Sequence, residues 1–148
     1  MKGCYCLIIN LDKTCNIEIG KLGEVNFNKG CYAYVGSAMN SLQARIERHI
    51  NDEKKLHWHI DYFLKNKNSK ITDVIYNVSD EKIECNLSGE LSTKSKGITG
   101  FGCSDCKCES HLYYFKNRKD AIEWVENAYD SIAMDYELSE LTASNCRS

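Results

Sequence analysis

Two arginines one helical turn apart form the first arrangement in this sequence that could do chemistry. Leu42, Ile46 and Ile50 recur at four-residue spacing, which predicts an amphipathic helix. At about 100° per residue, Arg45 and Arg48 fall on one polar stripe of that helix. Guanidinium groups so spaced can hold a phosphate through bidentate hydrogen bonds, although a solvated surface pair would give the same pattern.

The charge around these arginines is locally basic in a chain whose formal net charge is −2. Residues 42–70 carry seven Lys or Arg against four Asp or Glu, whereas residues 120–148 carry one against seven. Such a chain has no global attraction to nucleic acid, so any phosphate-binding surface must be local. His49 is predicted at the border of the polar and apolar stripes, neither fully buried nor free, and Lys54 and Lys55 follow the helix.

A second candidate site is a short segment rich in metal ligands. It has the pattern C-x2-C-x-C-x2-H, formed by Cys103, Cys106, Cys108 and His111. Thiolates and imidazole are the ligands of Zn²⁺, but zinc sites usually combine ligand pairs from separated segments. The alternative is a structural loop in which Asp105 and His111 hydrogen-bond to the arginine helix or to Asp61.

The composition predicts one globular domain in the cytoplasm. The 148 residues suit a single core, and no apolar run reaches the roughly 20 residues of a membrane span. The nine cysteines are odd in number and follow no secretion signal, which favours reduced thiols or metal ligands over a disulfide framework. We expect a single domain over residues 1–135 and a frayed tail over 136–148.

The elements that must position these residues are predicted from periodicity and turn residues. Strands are predicted at 5–10, 31–35, 71–78 and 111–115, with a hairpin over 16–27. Helices are predicted from residue 42, over 56–66, over 81–91 and over 121–132, and a glycine- and serine-rich loop over 92–107. This order predicts an α+β fold with a small, mainly antiparallel sheet flanked by helices.

The order of several motifs resembles the GIY-YIG nuclease superfamily. The triplet Gly3-Cys4-Tyr5 is followed by Tyr34-Val35-Gly36, and Arg45 lies eleven residues after Tyr34 with Arg48-His49 behind it. Downstream, the segments KLHWHIDYFL, IECNL and GFGCSDCKCESHLYYF are similar to an uncharacterised archaeal branch of that superfamily. Members of that branch occur alone or fused to an endonuclease III-type DNA glycosylase. The resemblance runs from Gly3 to about Phe115.

The resemblance implies roles for individual residues. Tyr5 and Tyr34 match the two signature tyrosines near the water and the scissile phosphate. Arg45 matches the arginine that stabilises phosphate charge, and His49 matches a position that is often basic. Glu84 matches the metal-binding glutamate, which implies Mg²⁺ or Mn²⁺ as the cofactor.

The chemistry implied is phosphodiester hydrolysis in DNA, with RNA as the alternative substrate, in a repair context. It needs an activated water and a cation near the developing negative charge, and a tyrosine with a lowered pKa or a metal-bound water could supply the former. Arg48, Lys54, Lys55 and Trp58 are expected to contact nucleic acid. One alternative is a non-catalytic nucleic-acid-binding domain or repair accessory, and another is a zinc-binding or redox-sensing protein that uses the cysteine-rich loop.

The same residues also have ordinary structural explanations. Tyr5 and Tyr34 would suit any sheet, and a carboxylate such as Glu84 is favoured at a helix N-terminus. Trp58 could be a core residue. The structure must therefore show whether these side chains meet.

Overall fold

A five-stranded antiparallel sheet forms the centre of the protein. The computed structural model describes residues 1–51, 53–93, 95–102, 108 and 110–141. The strands are β1 (Gly3–Leu11), β4 (Gly30–Ala38), β5 (Ser69–Val78), β6 (Leu112–Phe115) and β7 (Glu137–Glu140), in the spatial order β6-β4-β1-β5-β7. Strands β2 (Cys15–Ile19) and β3 (Gly23–Phe27) pair as a separate hairpin. The predicted fold class is confirmed.

The hairpin explains the long separation between the two tyrosine triplets. Strands β1 and β4 are direct antiparallel neighbours, with Tyr5 opposite Gly36 and Leu7 opposite Tyr34. The residues between them loop out as the hairpin and return. The hairpin strands β2 and β3 therefore form a separate sheet and are not part of the five-stranded one. The pairing brings Tyr5 and Tyr34 to one end of the sheet.

Four α-helices in the described part of the chain cover the two faces of the sheet. They are α1 (Leu42–Ile50), α2 (His59–Lys65), α3 (Glu84–Ser92) and α4 (Arg118–Ser131). Cys4, Cys6 and Ile8 pack with α3 and α4, while Tyr5, Leu7 and Ile9 pack with α1, α2 and the hairpin. This alternation is what β-strand geometry requires of a strand buried on both faces.

The helix termini show which sequence signals set the boundaries. Ser41 accepts the Ala44 amide through its side chain and so caps the start of α1. Asn117 similarly caps α4, which therefore begins at Arg118, earlier than its apolar repeat suggests. Helices α2 and α3 begin about three residues later than predicted.

The end of the chain differs from the sequence-based prediction. A frayed tail was expected from residue 136, but β7 pairs with β5 from Glu137 opposite Tyr76 to Glu140 opposite Asp73. Arg118 stabilises this edge, because its guanidinium contacts both Asp73 and Glu140. Residues 142–148 lie outside the described part of the chain. Among the described helices, none has the length and apolar character needed to span a membrane.

Candidate active site

A cleft of about 360 Å³ opens where β1, β4, α1, α2 and α3 converge. Five of the predicted site residues line it together: Tyr5, Tyr34, Arg45, Trp58 and Glu84. The other lining residues are Gly36, Ser37, His57, His59 and Gly102. Residues from positions 5 to 102 thus meet at one surface, although nothing in their individual spacing requires it.

The glycine of the Tyr34-Val35-Gly36 triplet has a steric reason. A Cβ atom on Gly36 would lie 2.5 Å from the Cζ and hydroxyl oxygen of Tyr5. The Tyr5 ring therefore occupies the space that any other side chain would need. A larger residue at position 36 would displace the tyrosine from the cleft.

Tyr5 and His49 form a buried hydrogen-bonded pair. The Tyr5 hydroxyl lies 2.6 Å from His49 Nε2, and the two residues are 1% and 2% exposed. Burial, assisted by Tyr34, raises the pKa of Tyr5 well above its usual value. The expectation of a tyrosine with a lowered pKa is therefore wrong for Tyr5, which holds its proton at neutral pH.

His49 is buried and neutral rather than half-exposed at the helix border. Burial lowers its pKa to about 3, with the positive charges of Arg48, Lys54 and Arg45 acting in the same direction and Asp61 opposing them. Its Nδ1 is buried and has no hydrogen-bond partner among the described residues. The ring also contacts Tyr34 and Trp58, with centroids 6.0 Å away from each.

Glu84 is the carboxylate of the cleft. Ser37 donates its hydroxyl to Oε1 at 2.6 Å, and His111 Nδ1 lies 2.8 Å from Oε2. Burial by itself would raise the pKa of Glu84, but these two hydrogen bonds and the nearby charge of Arg45 hold it below its usual value. The side chain is 30% exposed, so an ionised carboxylate reaches solvent in the cleft.

Arg45 approaches Glu84 through Ser37 and stacks on Trp58. Its Nη1 donates to the Ser37 carbonyl at 2.8 Å, and its guanidinium carbon lies 4.6 Å from the centre of the Trp58 ring. A guanidinium held over an aromatic face keeps its fork pre-organised. Arg45 is thus fixed at the cleft wall with its charge available to an anion.

Arg48 has a different partner from the one predicted. Its Nη1 and Nη2 donate to the two oxygens of Asp61 at 2.9 and 3.0 Å, and Nη2 also contacts the Lys55 carbonyl. Its guanidinium carbon lies 4.3 Å from the Trp58 ring centre. Of the two arginines on this face of α1, Arg45 therefore lies in the cleft and Arg48 forms an internal ion pair with Asp61.

The two predicted lysines are also distinguished by the structure. The Lys54 ammonium donates to the carbonyls of His49 and Asn51 at the end of α1, a position that complements the helix dipole. Lys55 is exposed beside the cleft residue His57. Lys55 thus retains the position expected of a nucleic-acid contact.

Cys108 and His111, the described ligand residues of the cysteine-rich segment, lie close to Glu84 and Cys85. His111 is buried and contacts the Glu84 carboxylate and the Val35 carbonyl, contacts that the sequence did not predict, whereas Asp105 lies outside the described residues. Cys108 and His111 form a close group with Cys85, which follows Glu84 in the sequence. Cys103 and Cys106 lie outside the described residues.

The family model of the domain of unknown function DUF123 matches residues 4–134. The chain belongs to the DUF123 family. DUF123 is GIY-YIG-like and of unknown function, which fits the ordered tyrosines, arginine and glutamate of the cleft. No curated protein and no solved structure matches the chain significantly.

Three residues of this DUF123 domain carry roles that sequence reasoning missed. Ser37 directly follows the Tyr34-Val35-Gly36 triplet and bonds to Glu84. His59 Nδ1 accepts the Gly102 amide at 2.9 Å, which ties the loop after α3 to α2. Asp61 had been considered as a loop partner but is the partner of Arg48. Of these three residues, only Ser37 could have been suspected from the sequence, because it directly follows the Tyr34-Val35-Gly36 triplet.

Proposed function

We propose that this protein is a divalent-metal-dependent endonuclease that hydrolyses phosphodiester bonds in nucleic acid. The observation that carries the proposal is the meeting of Tyr5, Tyr34, Arg45 and Glu84 around one cleft. These residues offer hydroxyl groups, a pre-organised cation and a carboxylate at a single surface. Phosphodiester hydrolysis needs this combination to orient water and stabilise developing negative charge.

The Glu84 carboxylate suits Mg²⁺ or Mn²⁺ as the cofactor. Each oxygen receives one hydrogen bond, from Ser37 or His111, and a carboxylate has about four lone-pair positions in all. Mg²⁺ accepts one or two carboxylates because its other ligands are water and phosphate oxygens. When bound, the ion would supply positive charge to the phosphate.

The protein residues would divide the remaining work. Arg45 would bind the phosphate through its fork, which Trp58 and the Ser37 carbonyl hold in place. Tyr5 would orient the attacking water and could accept its proton only while passing its own proton to His49 Nε2, 2.6 Å away. The raised pKa of Tyr5 makes that hand-over a requirement, because a free phenolate is absent at neutral pH.

We infer that DNA is the substrate, with RNA the alternative, and that the protein acts in DNA repair. The support is the resemblance to the archaeal branch whose members occur alone or fused to an endonuclease III-type glycosylase. The same fusions support association with a repair enzyme. A cytoplasmic location is the corresponding expectation.

The test is cleavage of branched, nicked and single-stranded DNA with Mg²⁺ or Mn²⁺. We expect Glu84→Ala to lower the rate by about 100–1,000-fold, the scale on which a single electrostatic group contributes to catalysis. Glu81→Ala is the matched control, because Glu81 is an exposed carboxylate three residues earlier. Binding without any metal-dependent cleavage would instead identify a non-catalytic nucleic-acid-binding domain.

A further inference from the structure

A second group of possible metal ligands lies directly behind Glu84. The ligand atoms of Cys85, Cys108 and His111 are all within 4.8 Å of one another. Cys85 belongs to the first turn of α3, whereas Cys108 and His111 belong to the segment that leads into β6. The group therefore joins two separate parts of the chain, as zinc sites commonly do.

The hydrogen bonds of His111 determine which of its nitrogens faces a metal. Its Nδ1 contacts the Val35 carbonyl at 3.3 Å and the Glu84 carboxylate at 2.8 Å. A carbonyl oxygen can only accept, so Nδ1 carries the proton. In the neutral ring the lone pair then lies on Nε2, which makes Nε2 the ligand atom.

This arrangement has the form of a metal-bound histidine supported by a carboxylate. Metal-ligating histidines almost always donate their second nitrogen to a carboxylate, a backbone carbonyl or water, which fixes the ring. His111 does so to two such acceptors and is 1% exposed. The ring is thus already oriented before any metal binds.

We propose that Cys85, Cys108 and His111 form a Zn²⁺ site. Two thiolates and an imidazole match the ligand preference of Zn²⁺ and not that of Mg²⁺. Tetrahedral zinc bonds of the usual lengths separate the ligand atoms by about 3.6–3.8 Å. The ligand atoms here lie within 4.8 Å of one another, so a small movement of the exposed Cys85 side chain can bring them to that separation. Zn²⁺ with three protein ligands takes water or a further thiolate at its fourth position.

The site would fasten the segment before β6 to α3 and hold Glu84 from behind through His111. Glu84 would then link two metal sites of different chemistry, since its carboxylate would bind one ion and accepts a hydrogen bond from a ligand of the other. This coupling rests on the proposed function, whereas the zinc site itself does not. It also differs from the ligand set predicted from the sequence, because Cys85 comes from outside the cysteine-rich segment.

The first test is zinc titration of the reduced full chain, with bound metal measured by mass spectrometry. We expect one Zn²⁺ per chain. Loss of a residue that only supports a ligand typically weakens metal affinity by roughly 10–100-fold. Glu84→Ala should weaken zinc affinity by that amount, and Cys85→Ser, which removes a ligand, should weaken it more. Cys15→Ser, a half-buried cysteine of the hairpin, should leave binding unchanged. Equal affinity of wild type and Cys85→Ser would overturn the proposal.

The second test needs no variant and so does not depend on a mutant folding. Alkylation of Cys85 in the wild-type chain, followed by peptide mass spectrometry, should be at least about tenfold slower with Zn²⁺ than without it, since alkylating agents react with the free thiolate. Equal rates would contradict zinc binding at Cys85. Zinc uptake that requires Cys85 supports the site even in a chain that never cuts. If the chain cleaves DNA in a Glu84-dependent way but has no affinity for zinc, the zinc site is overturned and the proposed nuclease function is not.

Discussion

Two carboxylates, Asp61 and Glu84, lie near the two arginines that stack on Trp58, and their surroundings differ in one decisive way. Asp61 is fully buried and receives two bonds from Arg48 and two from the amides of His57 and Trp58. Glu84 is 30% exposed and receives one bond each from Ser37 and His111. The number of donors thus separates a carboxylate that fixes the fold from one that can still take a ligand.

The comparison extends to the arginines. Arg45 and Arg48 are one turn apart on α1 and both lie over Trp58. Arg48 is neutralised by Asp61, whereas Arg45 bonds to an uncharged carbonyl in the cleft. Two residues of the same type on one stripe therefore have different roles, which are set by partners distant in the sequence.

Replacing Arg45 tests the cleft side of the comparison and has the largest expected effect. Arg45→Ala should lower cleavage by about 100–1,000-fold, because it removes the cation beside the phosphate. Arg45→Lys should be intermediate, since an ammonium keeps the charge but lacks the fork. Cleavage kinetics with a saturating divalent ion would measure both. A wild-type rate for Arg45→Ala would place the phosphate elsewhere.

Replacing Arg48 tests the Arg48–Asp61 pair, and it should lower the free energy of unfolding. Arg48→Ala removes both guanidinium bonds from buried Asp61, and an under-satisfied buried group typically costs about 1–3 kcal/mol. Burial alone would raise the pKa of Asp61, and Arg48 together with the amides of Trp58 and His57 holds it below its usual value. Urea unfolding of the two arginine variants would check this. Greater destabilisation by Arg45→Ala would reverse the assignment.

His49 connects the two regions and should make stability depend on pH. Its folded pKa of about 3 is below the unfolded value, so the unfolded chain binds more protons below about pH 6.5. Stability from this group is therefore complete above pH 6.5 and falls by up to about 1.4 kcal/mol per pH unit as the pH drops toward 3.

The measurement is urea unfolding at several pH values. His49→Gln cannot titrate and should flatten the slope over this window. An unchanged slope in His49→Gln would show that other groups are responsible.

The two lysines provide the smallest expected difference. Lys55→Ala should reduce the salt dependence of DNA binding by about one unit of slope, the effect of one lost phosphate contact. Lys54→Ala should keep that slope and instead cost roughly 0.3–1 kcal/mol of stability, because its ammonium lies at the helix C-terminus. Fluorescence anisotropy at several salt concentrations would measure the slope for each variant. Equal slopes for Lys54→Ala and Lys55→Ala would contradict the predicted difference between the two lysines.

The sequence predicted the fold well where local pattern determines structure. The apolar run of β1 and the four-residue repeat of α1 identify those elements. Strand β7 was missed because three of the four residues of Glu137–Glu140 are polar and all four are exposed. It is held by pairing with β5 and by Arg118, which are contacts between segments far apart in the chain.

The site was predictable only as a set of residue types in order. The resemblance selected Tyr5, Tyr34, Arg45 and Glu84, and the fold brings them together. It could not assign Arg48 to Asp61, bury His49 or place Cys85 beside His111, because those contacts depend on how α1, α2 and α3 approach the sheet. A helical wheel gives the stripe of a residue but not its partner.

The most direct test of the account is a crystal structure of the protein soaked with Mn²⁺ and a DNA oligonucleotide, with anomalous scattering used to locate the ion. The account predicts Mn²⁺ in direct contact with a Glu84 carboxylate oxygen, with a phosphate between the ion and Arg45 and with the Asp61–Arg48 pair intact. An ion bound at Asp61, or a soaked cleft in which Glu84 binds no ion, would contradict it.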